Sequence, residues 1–155
     1  MKWHKVVTME MFRGRSRHTL DEKGRLAIPA RFKEVVKARG DGCLVLTNHF
    51  NCLWAFARDD WKVIEEEAAR LPKMDSKVHT YLRYFISGAQ ECVVKQGRIT
   101  IPPDLREISG LKKEVVLVGG LNLFEIWDRE KWEEEFEKAK TSFPEVSQSL
   151  SGLGL

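Results

Sequence analysis

The most constraining feature of this sequence is a short motif that occurs twice. The first copy, DEKGRLAIPARF, covers residues 21–32, and the second, VVKQGRITIPPDL, covers residues 93–105. Each copy places a glycine and an arginine before a short apolar strand and a proline. Two copies are too few for a repeat array, which needs at least about three units to bury a continuous core. The duplication therefore predicts a single fold built from two related halves.

The segments after each motif also correspond. Apolar residues occupy matching places in the two copies: Leu46 and Leu117, Leu53 and Leu123, and Trp61 and Trp132. The helix that closes each copy has apolar residues at every third or fourth position, which is typical of an amphipathic helix packed on a core. Neither half holds enough apolar residues for a core of its own. We therefore predict an α+β fold, a pseudo-two-fold duplicated small β-barrel with flanking helices.

Turn and helix signals divide the chain into segments. Gly24 and Gly97 supply the backbone conformation that the turn of each motif needs, and Pro29 and Pro102 open the helices that follow. The Ser- and Gly-rich composition after residue 143 predicts a flexible tail. The predicted segments are an N-terminal extension (1–10), a first repeat (11–72), a connecting helix (73–90), a second repeat (91–143) and the tail (144–155).

Basic residues concentrate near the start of the chain. Residues 1–40 hold 11 of the 26 Lys and Arg residues but only four of the 23 Asp and Glu residues. That part therefore carries a formal charge of +7 and the remainder −4, which together give the net charge of +3. Such asymmetry indicates a polyanion-facing end on an otherwise acidic body. A solvated basic face with no partner stays open as an alternative.

Several classes of protein are disfavoured by composition. No apolar run approaches the roughly 18 residues of a membrane span, and no secretory leader is recognisable, so we expect a cytoplasmic protein. Cys43, Cys52 and Cys92 are odd in number and form no CxxC pair. We interpret them as thiols packed like small apolar residues, and we predict neither a metal nor a cofactor.

The two motifs together resemble the MraZ family of bacterial transcriptional regulators, within the AbrB-like swapped-hairpin barrel superfamily. The resemblance lies in MFRG and LDEKGRLAIPARF followed by KQGRITIPPDLRE, and it covers roughly residues 11–143. The family motif is D-x-x-x-R, which Asp21 and Arg25 fit in the first copy. In the second copy Val94 stands at the aspartate position, although Arg98 remains. Family proteins usually begin at the position of Met11, so residues 1–10 are interpreted as an extension.

The resemblance implies a function that composition does not. Family members bind double-stranded DNA at promoter repeats upstream of their own operon, the division and cell-wall cluster, and generally repress it. They also assemble into rings of several subunits. For this chain the resemblance implies a nucleoid-associated, homo-oligomeric repressor that is not an enzyme and has neither a membrane partner nor a small-molecule substrate.

The basic residues around the motifs are the candidate DNA-binding residues. Arginine pairs with guanine through two hydrogen bonds, whereas lysine more often anchors phosphate, so we predict base contacts for Arg25 and a phosphate contact for Lys23. Asp21 is expected to orient Arg25 or to cap its turn. Alternate residues of a strand share a face, which predicts one basic ridge from three arginines before the motif: Arg13, Arg15 and Arg17. Lys95 and Arg98 are the counterparts in a second, weaker or structural site.

Four alternatives stay open at this point. The two motifs are also compatible with plain tight turns that carry solvated charges. Catalysis is disfavoured because the four histidines lack a carboxylate or cysteine at a catalytic spacing: His4, His18, His49 and His79. An AbrB-like antitoxin is disfavoured because such chains usually carry one motif and a long disordered tail, whereas here the motif is duplicated and only about a dozen residues follow the second repeat. A structural assembly protein that does not bind DNA is the fourth alternative, and the salt dependence of DNA binding would separate it from a regulator.

Overall fold

The computed structural model of the chain describes residues 10–155, so Lys2, Lys5 and most of the expected N-terminal extension lie outside the described range. The described part forms eight strands: β1 (Arg15–Thr19), β2 (Arg25–Ala27), β3 (Cys43–His49), β4 (Cys52–Ala57), β5 (Gln90–Val93), β6 (Arg98–Thr100), β7 (Glu114–Gly119) and β8 (Phe124–Asp128). It also forms five α-helices: α1 (Ala30–Gly40), α2 (Arg58–Ala69), α3 (Ser76–Tyr81), α4 (Pro103–Ser109) and α5 (Arg129–Leu150). A π-helical turn, Leu82–Ile86, follows α3, and a 3₁₀ turn, Ser151–Leu153, follows α5.

Six strands form one antiparallel sheet in the order β1-β7-β8-β4-β3-β5, and β2 pairs with β6 in a two-stranded ribbon. The order reads the same backwards when each strand is exchanged for its counterpart in the other half, so the predicted pseudo-two-fold duplication is confirmed. The first strand of each half pairs within the other half, because β1 joins β7 and β5 joins β3. The two repeats therefore share one sheet.

The sheet differs from a closed barrel. Among residues 10–155, β1 and β5 are its two edges, and the ribbon packs separately on one of its faces. The ribbon strands are only three residues long because Pro29 and Pro102 follow almost at once, and proline cannot extend a ladder since it lacks an N–H. The residue after each ribbon strand instead donates a backbone hydrogen bond to the opposite turn. Ile28 N donates to Gly97 O at 2.9 Å, and Ile101 N donates to Gly24 O at 2.9 Å.

The pseudo-two-fold axis passes through two cross-strand pairs, Leu26 with Ile99 in the ribbon and Trp54 with Glu125 in the sheet. The ladder from β4 to β8 corrects one predicted correspondence. Leu53 pairs with Ile126, and the symmetric pair joins Ala55 to Phe124. Leu53 is therefore equivalent to Phe124 and not to Leu123, because a one-residue slip would turn every side chain of the strand to the other face.

The main core lies between the sheet, the ribbon and helices α1 and α4. Leu26 and Ile99 are almost fully buried in it, and the rings of Phe12, Phe32 and Phe124 pack with centroids 4.8–5.1 Å apart. A second cluster on the opposite face of the sheet is closed by α2 and the π-helical turn. Its buried members are Val45, Phe56, Trp61 and Phe85. The ribbon is thus fixed by the core through one of its faces.

Most of the segment predicted as a flexible tail is helical. Helix α5 runs from Arg129 to Leu150 with Pro144 inside it. Composition suggested a tail, but the apolar residues Phe143, Val146 and Leu150 are spaced three and four positions apart, which continues the helical stripe past the proline. The other helices lie close to their expected positions.

The three cysteines are free and buried, which confirms their interpretation as packed apolar residues. Burial raises the pKa of the Cys92 thiol to about 12 and also raises the pKa values of Cys43 and Cys52. These thiols are therefore protonated and unreactive near neutral pH. Within residues 10–155, no helix combines the length and the apolar character that a membrane crossing requires.

Candidate nucleic-acid interface

The turn of the first motif is a three-residue loop held by its aspartate. Gly24 N donates to Asp21 O at 3.0 Å, and Asp21 N donates to Arg25 O at 3.3 Å. Gly24 has a φ of +77°, in the left-handed region that glycine adopts without steric cost. The backbone of the loop therefore depends on a glycine at this position.

The Asp21 carboxylate binds both the turn and the arginine. It accepts the backbone N–H groups of Lys23 and Arg25 at 2.9 Å each, and its second oxygen accepts Arg25 Nε. The hydrogen bond from the Arg25 backbone, helped by the Arg25 side chain and the Lys23 backbone, lowers the pKa of Asp21 to about 2. Asp21 is therefore ionised at neutral pH. The contact through Nε leaves the donors of both Arg25 Nη groups for another acceptor.

The turn of the second motif is one residue shorter. Lys95 N donates to Arg98 O at 2.8 Å, and Arg98 N donates back to Lys95 O at 3.0 Å. Gln96 and Gly97 have φ values of +51° and +74°, as in the two-residue hairpin turns that suit the twist of paired strands. This turn closes through its backbone alone and uses no carboxylate.

The position of Val94 follows from the neighbouring ladders. Leu20 N donates to Lys113 O at 2.8 Å, and Val94 N donates to the equivalent Gly42 O at 2.9 Å. Val94 thus takes the place of Leu20 at the edge of the core, and Lys95 takes the place of Asp21. Counting along the motif sets Val94 against Asp21, but the shorter turn shifts the structural match by one residue.

The two motif arginines share the outer face of the ribbon. Leu26 and Ile99 lie opposite each other and point into the core. The pairs on either side of them, Arg25 with Thr100 and Ala27 with Arg98, therefore point away from the core. Arg25 and Arg98 occupy diagonal positions, which in antiparallel strands lie about 7–8 Å apart.

Each turn also receives a cation that sequence reasoning missed. A Cβ placed on Gly24 would lie 2.7 Å from Arg106 Cζ, so the Arg106 side chain of α4 rests directly against the first turn. Lys33 of α1 stands in the same relation to the second turn, with its Nζ 3.4 Å from a Cβ placed on Gly97. Both cations lie four positions after the proline of their own motif, which is a signal that the aligned repeats contain.

A basic groove borders the first turn. Its cationic lining comes from both halves of the chain: Lys23, Arg25, Arg106, Lys112 and Lys113. The groove has a volume of about 770 Å³ and its lining also includes the carboxylates of Asp21 and Glu22. The segment between α4 and β7 contributes Leu111, Lys112 and Lys113 to this lining.

The predicted arginine ridge is only partly formed. Arg15 and Arg17 alternate on β1 and are exposed on one face, but that face meets α5, where Arg15 lies 4.8 Å above the ring of Phe136. Arg13 lies outside β1, separated from it by Gly14 with a φ of +92°. It lines a different small pocket together with Arg31. The structure therefore does not bring these arginines and Arg25 into one groove.

Comparison with known proteins identifies the family. A family model described as "MraZ protein, putative antitoxin-like" matches the chain twice, at residues 11–84 and 85–152. The chain belongs to the MraZ family. Its two matches correspond to the two halves that share the sheet.

Several similar proteins carry the family name. A protein of Natranaerobius thermophilus is 40% identical over 141 residues, which cover 90% of this chain and 96% of the relative. A protein of Syntrophobacter fumaroxidans is 41% identical over 145 residues, covering 93% and 97%. A protein of Ligilactobacillus salivarius is 38% identical over 146 residues, covering 94% and 100%. Each is named "Transcriptional regulator MraZ".

Proposed function

We propose that this chain is a transcriptional regulator that binds double-stranded DNA sequence-specifically through the outer face of the ribbon and its two turns. The observation that carries the proposal is that Asp21 holds Arg25 on this exposed face. A charged side chain fixed in advance loses less conformational freedom on binding than one that must be ordered. Arg25 is thus prepared to meet a base edge.

The two turns have unequal roles in this proposal. The Nη groups of Arg25 pair with guanine O6 and N7, and Lys23 neutralises a neighbouring phosphate. Arg98 has the same place on the ribbon, but its turn contains no carboxylate to hold the guanidinium. We therefore assign Arg98 and Lys95 a weaker and less specific contact.

The proposal extends to the target. As the family resemblance implies, we propose that the chain binds tandem promoter repeats upstream of its own operon, the division and cell-wall cluster, and represses that operon as a nucleoid-associated protein. The name of the relatives supports regulation of transcription in general. The assignment of the target operon rests on the family resemblance alone.

Self-association as a ring completes the proposal. Exposed apolar residues form a stripe along α5, at spacings of seven, three and four: Phe136, Phe143, Val146 and Leu150. An exposed apolar stripe of this kind is typical of a surface that a partner covers. A second copy of the chain would cover it, and several copies bound to repeated DNA sites gain affinity through effective concentration.

A gel-shift titration on the DNA upstream of the gene tests the proposal. Wild-type binding should weaken steeply with salt, and Arg25→Ala should raise Kd by about 5- to 150-fold, since one bidentate base contact contributes about 1–3 kcal/mol. Arg25→Lys keeps the charge but loses the two-fold pairing, so it should lose specificity while retaining salt-sensitive binding. Arg98→Ala should have a smaller effect. Equal affinity of Arg25→Ala and wild type would refute the assignment of Arg25.

A further inference from the structure

We infer that the basic groove is a second contact surface for DNA, and that it binds backbone phosphates adjoining the bases contacted by the first turn. The inference rests on the proposed function, because it assigns a role to residues beside the same turn. It names Arg106, Lys112 and Lys113, which come from the second half of the chain. The first turn is accordingly completed by cations that its own half does not supply.

Arg106 is held in position by both halves. Its Nε donates to Ile101 O at 3.1 Å, and its guanidinium packs where Gly24 has no side chain. This arrangement leaves the Nη groups next to the first turn. Arginine donors fixed in this way suit phosphate oxygens, which accept hydrogen bonds from planar guanidinium groups.

Lys112 and Lys113 have anchored backbones and exposed side chains. Lys112 N donates to Asp128 Oδ1 at 3.2 Å, and Lys113 O accepts the N–H of Leu20 at 2.8 Å. Lys112 Nζ lies 3.6 Å from Glu130 Oε2, but both side chains are largely exposed. Water and salt weaken such a pair, so the Lys112 ammonium group remains available to a phosphate.

The charge balance of the groove favours an anion. Five cationic side chains face two carboxylates, those of Asp21 and Glu22. The Asp21 carboxylate already accepts hydrogen bonds from Lys23 N, Arg25 N and Arg25 Nε, so its negative charge is largely compensated by these groups. The groove therefore presents a positive field to a polyanion.

The pseudo-symmetry of the chain provides an internal comparison. The strands β3 and β7 correspond with an offset of 71 residues, since Leu44 pairs with Ala57 as Val115 pairs with Asp128. Lys112 and Lys113 are therefore equivalent to Asp41 and Gly42. At the second turn, the place of Lys112 is taken by the exposed carboxylate of Asp41, and the place of Lys113 is taken by Gly42, which has no side chain. The fold does not require the two lysines, and their charge distinguishes the first turn from the second.

The test compares two double variants with equal loss of charge. Lys112→Ala/Lys113→Ala removes two cations of the groove, whereas Lys62→Ala/Lys77→Ala removes two exposed lysines from helices on the opposite face of the sheet. Kd for the upstream DNA, and for an unrelated duplex of the same length, is measured between about 50 and 200 mM salt. Circular dichroism checks that both variants are folded.

The groove variant should reduce the slope of log Kd against log salt by about 1–2, and it should weaken binding to both duplexes by a similar factor, because phosphate contacts carry no sequence information. The control should keep the wild-type slope. If the two variants have the same slope while wild type binds its upstream DNA specifically, the groove inference is overturned and the proposed function stands. If wild type itself binds no DNA, the proposed function is refuted and the inference with it.

Discussion

Replacing each motif glycine by alanine separates backbone strain from side-chain contact. Gly24 and Gly97 have nearly the same backbone conformation, with φ values of +77° and +74°. Their surroundings differ, because the new Cβ would lie 2.7 Å from Arg106 Nε and Cζ at the first turn but 3.4 Å from the nearest atom, Lys33 Nζ, at the second. A methyl group fits at Gly97 and collides at Gly24.

The expected losses of stability follow from these distances. A residue other than glycine in the left-handed region costs about 1–2 kcal/mol, and this strain applies to both variants. Gly24→Ala must also displace the Arg106 guanidinium, which breaks its hydrogen bond to Ile101 O and removes about 0.5–1.5 kcal/mol more. We therefore expect Gly97→Ala to lower the free energy of unfolding by about 1–2 kcal/mol, and Gly24→Ala by about 1 kcal/mol more.

Urea unfolding of the two variants measures the difference in their free energies of unfolding, provided that the slope of that free energy against urea concentration is the same for both. An Arg106→Ala background provides the control, because there Gly24→Ala should cost no more than Gly97→Ala does in wild type. Equal losses for both glycine variants in the wild-type background would show that the contact between Arg106 and the first turn has no energetic weight. That result would contradict the predicted collision at Gly24 and would also weaken the case for Arg106 as a fixed phosphate contact.

Two further predictions concern pH and assembly. Because hydrogen bonds from the turn hold the pKa of Asp21 at about 2, below its ordinary 3.8, the stability that Asp21 provides should be present above pH 3.8 and disappear as the pH falls towards 2. NMR titration of its carboxyl carbon measures this directly, with Asp21→Asn as the reference, and a midpoint near 3.8 would contradict the geometry of the turn. Phe143→Glu in the α5 stripe should produce smaller particles in sedimentation velocity, whereas the same change at the exposed Phe50 should not. Unchanged particle size for Phe143→Glu would exclude this stripe as the proposed subunit contact.

Sequence reasoning predicted those parts of the fold that depend on local pattern and repetition. Gly24 and Gly97 mark both turns because only a residue without a side chain enters the left-handed region freely. Pro29 and Pro102 mark the starts of α1 and α4 because proline ends a strand and is compatible with the beginning of a helix. The duplication itself predicted the pseudo-two-fold arrangement.

Features that depend on distant parts of the chain were not predicted. The equivalence of Val94 and Leu20 is determined by ladder bonds to Gly42 and Lys113, which no local pattern reveals. The contact of Arg106 with the first turn arises because the ribbon brings the second motif against the first. The separate ribbon, in place of a closed barrel, likewise depends on how the short strands pack and not on their pattern alone.

The helix beyond residue 143 was not indicated by composition. Serine and glycine suggested a flexible tail, whereas the regular spacing of Phe143, Val146 and Leu150 continues an amphipathic helix. In this case the periodicity of the apolar residues carried more structural information than the overall composition.

The exchange of first strands between the halves has a consequence for how such a protein can change. An ancestor with one motif per chain would need two identical chains to build the same sheet, and every substitution would then occur twice. Joining the halves in one chain removes this constraint. In this chain Lys112 and Lys113 lie beside the first turn, whereas Asp41 occupies the place equivalent to Lys112 beside the second turn. Joining two related halves in one chain thus allows a symmetric scaffold to present two different faces.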